Sequence, residues 1–395
     1  MKREEVNEFL LKIKNKNLLL ELPTSFGKTK IALDILNSKI SLDAKILIVI
    51  PRLILINNWK EEFRKWGYEN YLNNTQFVTY VSLPKLCDNR IYDIVIFDEA
   101  HHLSERCREA LSNLNSTYNI LLSATVNKNI KYELSRTFSD LYTYKISTRK
   151  AINEEVLPDP TVYLIPLQLD NTKNDCTIIK NKNQKSAIKI KYSERFNYTK
   201  VKNKKIIIEC TQKQYYEDCS SMIAWCKNRS HIEIFKNMFL RKSGERLKWL
   251  SEQKTEIIKS ILKHLENEKT LTFCNSINQT KELGKYCINS SKSKKENDEN
   301  ITKFNKDKIK HITSCNILDE GINLQNCKVG IYASLNSSER MVKQKLGRLL
   351  RHKKPIIIIP YYKNTRDEEL VKKMLEDYNK DLVYTVSNIT DIKIT

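Results

Sequence analysis

Asp93-Ile94-Val95-Ile96-Phe97-Asp98-Glu99-Ala100-His101 decides how this chain is read. An unbroken apolar run this short predicts a strand buried on both faces of a parallel sheet. Asp98 then emerges at the carboxyl end of that strand, the edge where open α/β sheets hold their ligands. Upstream stands Leu22-Pro23-Thr24-Ser25-Phe26-Gly27-Lys28-Thr29, after another apolar run at 17–22 and before a periodic stretch at 29–37. A Gly-Lys-Thr turn between strand and helix aims backbone N–H groups at an anion and cradles phosphates. Neither half decides anything alone. In this order, on strand ends, they predict a site for splitting ATP.

In that site Lys28 reaches the β- and γ-phosphates and Thr29 places its hydroxyl on Mg²⁺. Pro23, Thr24, Ser25, Phe26 and Gly27 complete the phosphate turn. Asp98 holds Mg²⁺ through water, and Glu99 polarises the attacking water. Plainer explanations exist for each half. A Gly-Lys-Thr recurs by chance, and the usual leading glycine is missing here. Asp98 would also serve as the N-cap of a helix over 99–110. A cap, however, explains poorly why a buried run precedes it and Glu-Ala-His follows.

Working outward, the first half alternates strand-like and helix-like segments. Apolar runs at 44–50, 77–81 and 118–122 predict further buried strands, and Trp59, Phe63 and Trp66 share a face of a helix at 56–66. The second half repeats the theme, with strands at 270–273, 310–313, 328–333 and 355–360 and helices at 277–287 and 341–350. Such alternation predicts parallel sheets covered on both faces. Between the halves, 156–169 is extended and Pro158 and Pro160 mark a linker. Residues 171–205 are polar and Lys-rich. Helices are expected at 211–228 and 231–250, anchored by Tyr215, Tyr216, Trp225, Phe235 and Phe239. The low-complexity stretch 290–300 reads as a solvated loop.

The bulk numbers bound the class. With 395 residues, 40% apolar and 29% charged, the chain is globular and long enough for two or three domains. Its apolar runs are too short to span a bilayer, and its first residues carry acids without a signal-peptide core, so a cytosolic protein is expected, in the host cytoplasm if viral. The ten cysteines show no C-x-x-C pair, which predicts free thiols in a reducing compartment. The formal charge of +22 suits a polyanionic partner. A chain rich in Lys, Asn and Ile would also be basic through A/T-rich coding alone.

An ordered set of segments carries a family resemblance. These are 23–29, Ile50-Pro51-Arg52, Val78-Thr79-Tyr80-Val81-Ser82, 98–101, Ser123-Ala124-Thr125, Thr272-Phe273-Cys274, 318–324, and Gln344 with Gly347, Arg348 and Arg351. They span nearly the whole chain, which resembles superfamily 2 helicases of the DEAD/DEAH type, built from two tandem RecA-like domains. The flavour is nearest to compact phage DNA helicases and the motors of type III restriction enzymes. RNA-remodelling DEAD-box proteins carry Asp where this chain has His101.

The resemblance implies an α/β fold with an N-terminal ATP-binding domain at 1–150 and a second domain at 151–395, interrupted by a hairpin and helical insertion at about 171–250. It implies ATP and Mg²⁺ as cofactors. Ser123 and Thr125, partnered by His101, and Gly321 would couple nucleotide state to nucleic-acid grip. Gln344, Arg348 and Arg351 would face the γ-phosphate from the second domain, where arginine stabilises transition-state charge. Alone, they would read as a basic amphipathic helix. Strand contacts would come from Arg52, Thr79, Tyr80 and Ser82, and from Asn275, Ser276, Ser314 and Asn316. Such contacts go mostly to phosphates and sugars, so little sequence specificity is expected. The segment 180–205, with Tyr192, Phe196 and Tyr198, would either add backbone grip or form a solvated hairpin.

The chain departs from the family in places. Ser25 and Phe26 replace a glycine and a small residue, where the backbone can need an angle that side chains resist. Asn323 stands where Asp is usual. No glutamine occurs in the first twenty residues to read adenine, and Arg3 is the candidate base contact in its place. The function expected is an ATP-dependent DNA helicase or translocase acting on single-stranded or branched DNA. The alternatives are a nucleotide-gated clamp that does not unwind, the motor subunit of a restriction complex, and an RNA helicase. Replication, recombination or restriction partners would fit any of the DNA readings.

Overall fold

The computed structural model describes residues 3–86, 90–181, 198–202, 205–315, 324–335 and 352–394. In the first part the apolar runs become β1 (Asn17–Glu21), β2 (Ile46–Ile50), β3 (Thr75–Thr79), β4 (Ile91–Asp98), β5 (Asn115–Ser123) and β6 (Leu141–Lys145). They pair in parallel in the order β3-β2-β4-β5-β1-β6. The helices are α1 (Arg3–Leu11), α2 (Lys28–Lys39), α3 (Leu55–Lys65), α4 (Leu83–Leu86), α5 (Glu105–Ala110), α6 (Lys128–Thr137) and α7 (Thr148–Asn153).

Alternate residues of one strand serve opposite faces. Leu18, Leu20, Ile48, Ile50, Ile94 and Ile96 pack into one cluster, while Leu19, Leu47, Val49, Val95 and Phe97 pack into another. This is why 18–20, 46–50 and 94–97 are unbroken apolar runs: both faces of the sheet are covered there. Each such side chain contributes roughly 1.5–3 kcal/mol on burial.

The second sheet begins with β7 (Thr161–Leu167). An excursion follows: β8 (Cys176–Asn181), β9 (Tyr198–Lys202) and β10 (Lys205–Cys210) form a small antiparallel sheet, then α8 (Gln212–Lys227) and α9 (Glu233–Glu252) form a helical hairpin. The excursion's sheet has a stitched neck. Asp170 N–H donates to Gln212 Oε1 at 3.1 Å, Lys213 N–H donates to the Asp170 carbonyl at 3.1 Å, and Thr211 Oγ1 donates to Asn171 Oδ1 at 3.1 Å. The chain then returns through α10 (Thr255–His264), β11 (Thr270–Cys274), α11 (Ile277–Leu283), β12 (Cys287–Ile288), α12 (Lys294–Asn305), β13 (His311–Cys315), β14 (Val329–Tyr332), β15 (Ile356–Tyr362), α13 (Arg366–Met374) and β16 (Val383–Thr385). These strands pair in parallel in the order β12-β13-β11-β14-β15-β7-β16. The fold is therefore α/β, with two parallel sheets in tandem.

Some local expectations change. The stretch expected as a loop at 290–300 instead carries the start of α12. Ser293 accepts from the Glu296 N–H while Glu296 accepts from the Ser293 N–H, a capping box that starts a helix despite its polar composition. Trp225 is not a core anchor. It is 43% exposed, with Phe235 at its edge and the Arg229 guanidinium 4.5 Å from its ring centroid. The helix expected at 341–350, and Tyr192 and Phe196, lie outside the described residues. Among the described residues no helix is long and apolar enough to cross a membrane.

Candidate nucleotide and strand sites

Sheet order brings the two sequence motifs together. In β4-β5-β1 the central strand ends at Ser123, with Asp98 opposite Leu122 on one side and Glu21 opposite Ser123 on the other. The phosphate turn leaves β1 and is tied to β5 at once, by the Leu22 N–H donating to the Ser123 carbonyl at 3.0 Å. Phe26, fully buried, anchors the turn from inside. Gly27 is the N-cap of α2 at φ +100°, with no side chain capping the helix. Ser25 takes the left-handed conformation at φ +69°. The residue in glycine's usual place has thus adopted the angle that glycine would take freely, at a cost of roughly 1–2 kcal/mol.

Arg3, the expected base contact, lies against this turn. Its guanidinium donates to the Ser25 carbonyl at 3.4 Å, and its Nε lies 3.4 Å from where a Cβ on Gly27 would stand. A side chain at 27 would meet Arg3 as well as the backbone angle.

Glu99 follows β4 at φ +52° and precedes only a short 3₁₀ turn, Ala100–His102, so no α-helix starts from Asp98. The helix that does follow is α5, capped by Ser104. The cap role considered for Asp98 is therefore taken elsewhere. Lys28 Nζ stands 3.0 Å from Glu99 Oε1, and His101 Nδ1 stands 3.4 Å from Glu99 Oε2. His101 Nδ1 also meets Ser123 Oγ at 3.0 Å, while Ser123 Oγ donates to the Thr125 carbonyl at 2.9 Å. A hydroxyl has one proton, and it goes to Thr125. Ser123 Oγ is then the acceptor, and His101 Nδ1 carries the hydrogen. The resulting chain runs Lys28, Glu99, His101, Ser123, Thr125.

The local chemistry suits a Mg²⁺-bound triphosphate. The start of α2 lacks a side-chain cap, and Thr24 Oγ1 is buried with no hydrogen-bond partner among the described residues. Bare helix N–H groups and an orphan hydroxyl are what an anion satisfies. Thr29 sits in the first turn of α2, and Asp98 ends the strand on the far side of β5.

The expected strand contacts are split in exposure. Arg52 and Ser82 are exposed and Thr79 half-buried, at the ends of the adjacent strands β2 and β3. Thr79 Oγ1 and Ser82 Oγ lie 3.1 Å apart. Tyr80 differs from expectation. It is 5% exposed, and its hydroxyl donates to the Asp98 backbone carbonyl at 2.7 Å, so it turns toward the end of β4 rather than the surface. In the second sheet, Asn275 is half-buried. Ser276 is buried and caps α11 through the Gln279 N–H, and Ser314 is buried within β13. Burial leaves these two serines in packing roles. Gly321, Gln344, Arg348, Arg351 and Asn316 lie outside the described residues.

Sequence reasoning missed Trp59, whose helical spacing marked it only as core. Its Nε1 donates to Asp98 Oδ2 at 3.0 Å. The available signal was chemical: a buried indole N–H usually finds an acceptor.

Comparison with known proteins agrees with this geometry. Residues 1–128 match the family described as type III restriction enzyme, res subunit, and residues 253–353 match the helicase conserved C-terminal domain. A DNA 3'-5' translocase XPB2 of Sulfurisphaera tokodaii is 24% identical over 385 residues, covering 92% of this chain and 82% of that protein. In structure the chain is similar to S. cerevisiae Dbp5 bound to RNA and ADP BeF3, with a TM-score of 0.63 and 12% identity over 98% of this chain and 90% of that one. It is also similar to the Hef helicase domain of Pyrococcus furiosus, with a TM-score of 0.54 and 15% identity over 93% and 97% of the two chains. The structural likeness gives the two sheets the RecA-like fold. Together the two family matches and the translocase relative indicate a superfamily 2 helicase, a class of nucleic-acid-stimulated ATPases.

Proposed function

We propose that the protein is an ATP-dependent DNA helicase or translocase that moves on single-stranded or branched DNA with little sequence specificity. The observation that carries this is the chain from Lys28 through Glu99 and His101 to Ser123 and Thr125, built on three neighbouring strand ends. In this reading residues 1–150 hold the nucleotide and residues 151–395 form the second half of the motor, with the excursion at about 171–250.

Residues 23–29 cradle the phosphates, with Lys28 on the β- and γ-groups, and Thr29 and Asp98 take the Mg²⁺. Bound Mg²⁺ would neutralise charge on the transferring phosphoryl group. Glu99 orients the attacking water and accepts its proton. Gln344, Arg348 and Arg351 approach from the second half, and with Gly321 they close the cycle of grip and release. Arg52, Thr79 and Ser82 hold the strand backbone.

The test is ATP turnover with no nucleic acid and with single-stranded, forked and duplex DNA and RNA. Turnover that rises at least about tenfold on DNA supports the motor. No turnover on any strand, with binding intact, makes it a clamp. Stimulation by RNA alone removes DNA from the reading.

A further inference from the structure

Two buried side chains outside the expected nucleotide site end on the same residue. Trp59, 3% exposed on α3, gives its indole N–H to the Asp98 carboxylate at 3.0 Å. Tyr80, just past β3, gives its hydroxyl to the Asp98 carbonyl at 2.7 Å. Burial alone would be satisfied by any acceptor. What carries information is that both donors converge on Asp98, one on its side chain and one on its backbone.

Each donor is wired to a turn assigned to the strand. The Leu55 N–H donates to the Arg52 carbonyl at 3.0 Å, and the Ile56 N–H to the Leu53 carbonyl at 3.1 Å, so the exposed turn at 52–53 and the first turn of α3 are one hydrogen-bonded piece. Trp59 stands one helical turn further along it. The Tyr80 N–H donates to the Ile50 carbonyl at 3.2 Å, between the neighbours Thr79 and Ser82, and the Cys107 thiol donates to the Tyr80 carbonyl at 3.2 Å. In the order β3-β2-β4 the turn after β2 lies next to the end of β4, and the Tyr80 hydroxyl reaches that same end from β3, one strand further out.

The geometry points to Trp59 and Tyr80 as positioning residues that join the strand-facing turns to Asp98, so that DNA and Mg²⁺–nucleotide strengthen each other's binding. This rests on the roles given above to Asp98, Arg52, Thr79 and Ser82. A phosphate drawn to Arg52 moves the start of α3, and the indole that orients one carboxylate oxygen moves with it. Coupling of this kind is reciprocal between the two ligands.

Tyr80→Phe removes one donor and keeps the ring, and Trp59→Phe removes the other while leaving a smaller aromatic side chain in place. The measurement is the affinity of a fluorescent non-hydrolysable ATP analogue with Mg²⁺, with and without a saturating single-stranded oligodeoxynucleotide, repeated with the roles exchanged. The wild type is expected to bind the analogue about tenfold more tightly with DNA. Each variant should bring that factor to about threefold or less, equally in both directions of the titration. Thermal melts verify folding, and should Trp59→Phe melt early, Tyr80→Phe decides. Coupling at the wild-type factor in both variants, or a wild type that binds both ligands independently, overturns the inference alone. A wild type that binds no analogue overturns the motor reading and this inference with it.

Discussion

Lys28 and Glu99, 71 positions apart in sequence, form an ion pair at 3.0 Å, with side chains only 11% and 15% exposed. In the proposed motor, the ammonium assigned to phosphate here neutralises the carboxylate assigned to water. A triphosphate entering the turn would compete for Lys28 and so release Glu99 as a base. Both Lys28→Ala and Glu99→Gln should lower DNA-stimulated ATP hydrolysis by about a hundredfold or more. Binding of single-stranded DNA, read by fluorescence anisotropy, should change little, because neither residue lies on the strand-facing turns. A large loss of DNA affinity in both variants would contradict that division of labour.

Ser25 holds φ +69° without the freedom of glycine. Ser25→Gly removes a left-handed penalty of roughly 1–2 kcal/mol and adds an unfolded-state entropy of roughly 0.5–1 kcal/mol. The net expectation is a gain of up to about 1.5 kcal/mol, seen as a higher melting temperature with nucleotide affinity kept or improved. Weaker nucleotide binding in Ser25→Gly would mean that the hydroxyl itself contributes to the site.

Backbone contacts to DNA release counterions, so affinity should fall steeply with salt. For about four phosphates on a single strand, log Kd against log salt should rise with a slope of about 3. Arg52→Ala should lower that slope by about one and weaken binding similarly on all sequences. An affinity indifferent to salt would exclude a groove that follows the backbone.

His311 opens β13, and burial holds its imidazole below the ordinary value of 6.5, outweighing the opposing pull of Glu266. The folded-state pKa is therefore lower than the unfolded one. As pH drops below 6.5 the unfolded chain takes the proton first, and stability declines until the depressed folded value is reached. His311→Asn should flatten the loss of stability on that acid limb, measured by urea denaturation at stepped pH. An unchanged acid limb would assign the loss to other groups.

Lys254 is fully buried, with Nζ 2.6 Å from Asp367 Oδ2 and donating to the Ala333 carbonyl at 3.1 Å. Asp367 also accepts from the Tyr362 N–H at 3.4 Å. One side chain thus joins α10, α13 and the end of β14. Lys254→Ala strands the Asp367 charge and should cost about 3–5 kcal/mol. Replacing both partners, Lys254→Met with Asp367→Leu, should recover much of that loss in a thermal melt. A double variant no better than the single would show that Asp367 is needed for itself.

Much of the fold was legible because parallel strands buried on both faces must be apolar throughout, as 46–50 and 94–97 are. The phosphate turn and the strand-end acids could be placed for the same reason, since each follows such a run. Other features depend on contacts between distant segments. Nothing local says that Tyr80 turns inward to Asp98, or that the Trp59 indole finds a carboxylate 39 positions away. Ser276 and Ser314 were read from motif position, while their burial is set by neighbours on adjacent strands. The helix at 294–305 hid behind polar composition, although Ser293 and Glu296 carried its start signal.

The stitched neck at Asp170, Thr211 and Gln212 has an evolutionary consequence. A chain that departs and comes back at one point can exchange whatever lies between without disturbing its parent sheet. Descendants of this motor have a socket there, into which new attachments can be grafted while the engine beneath stays unaltered.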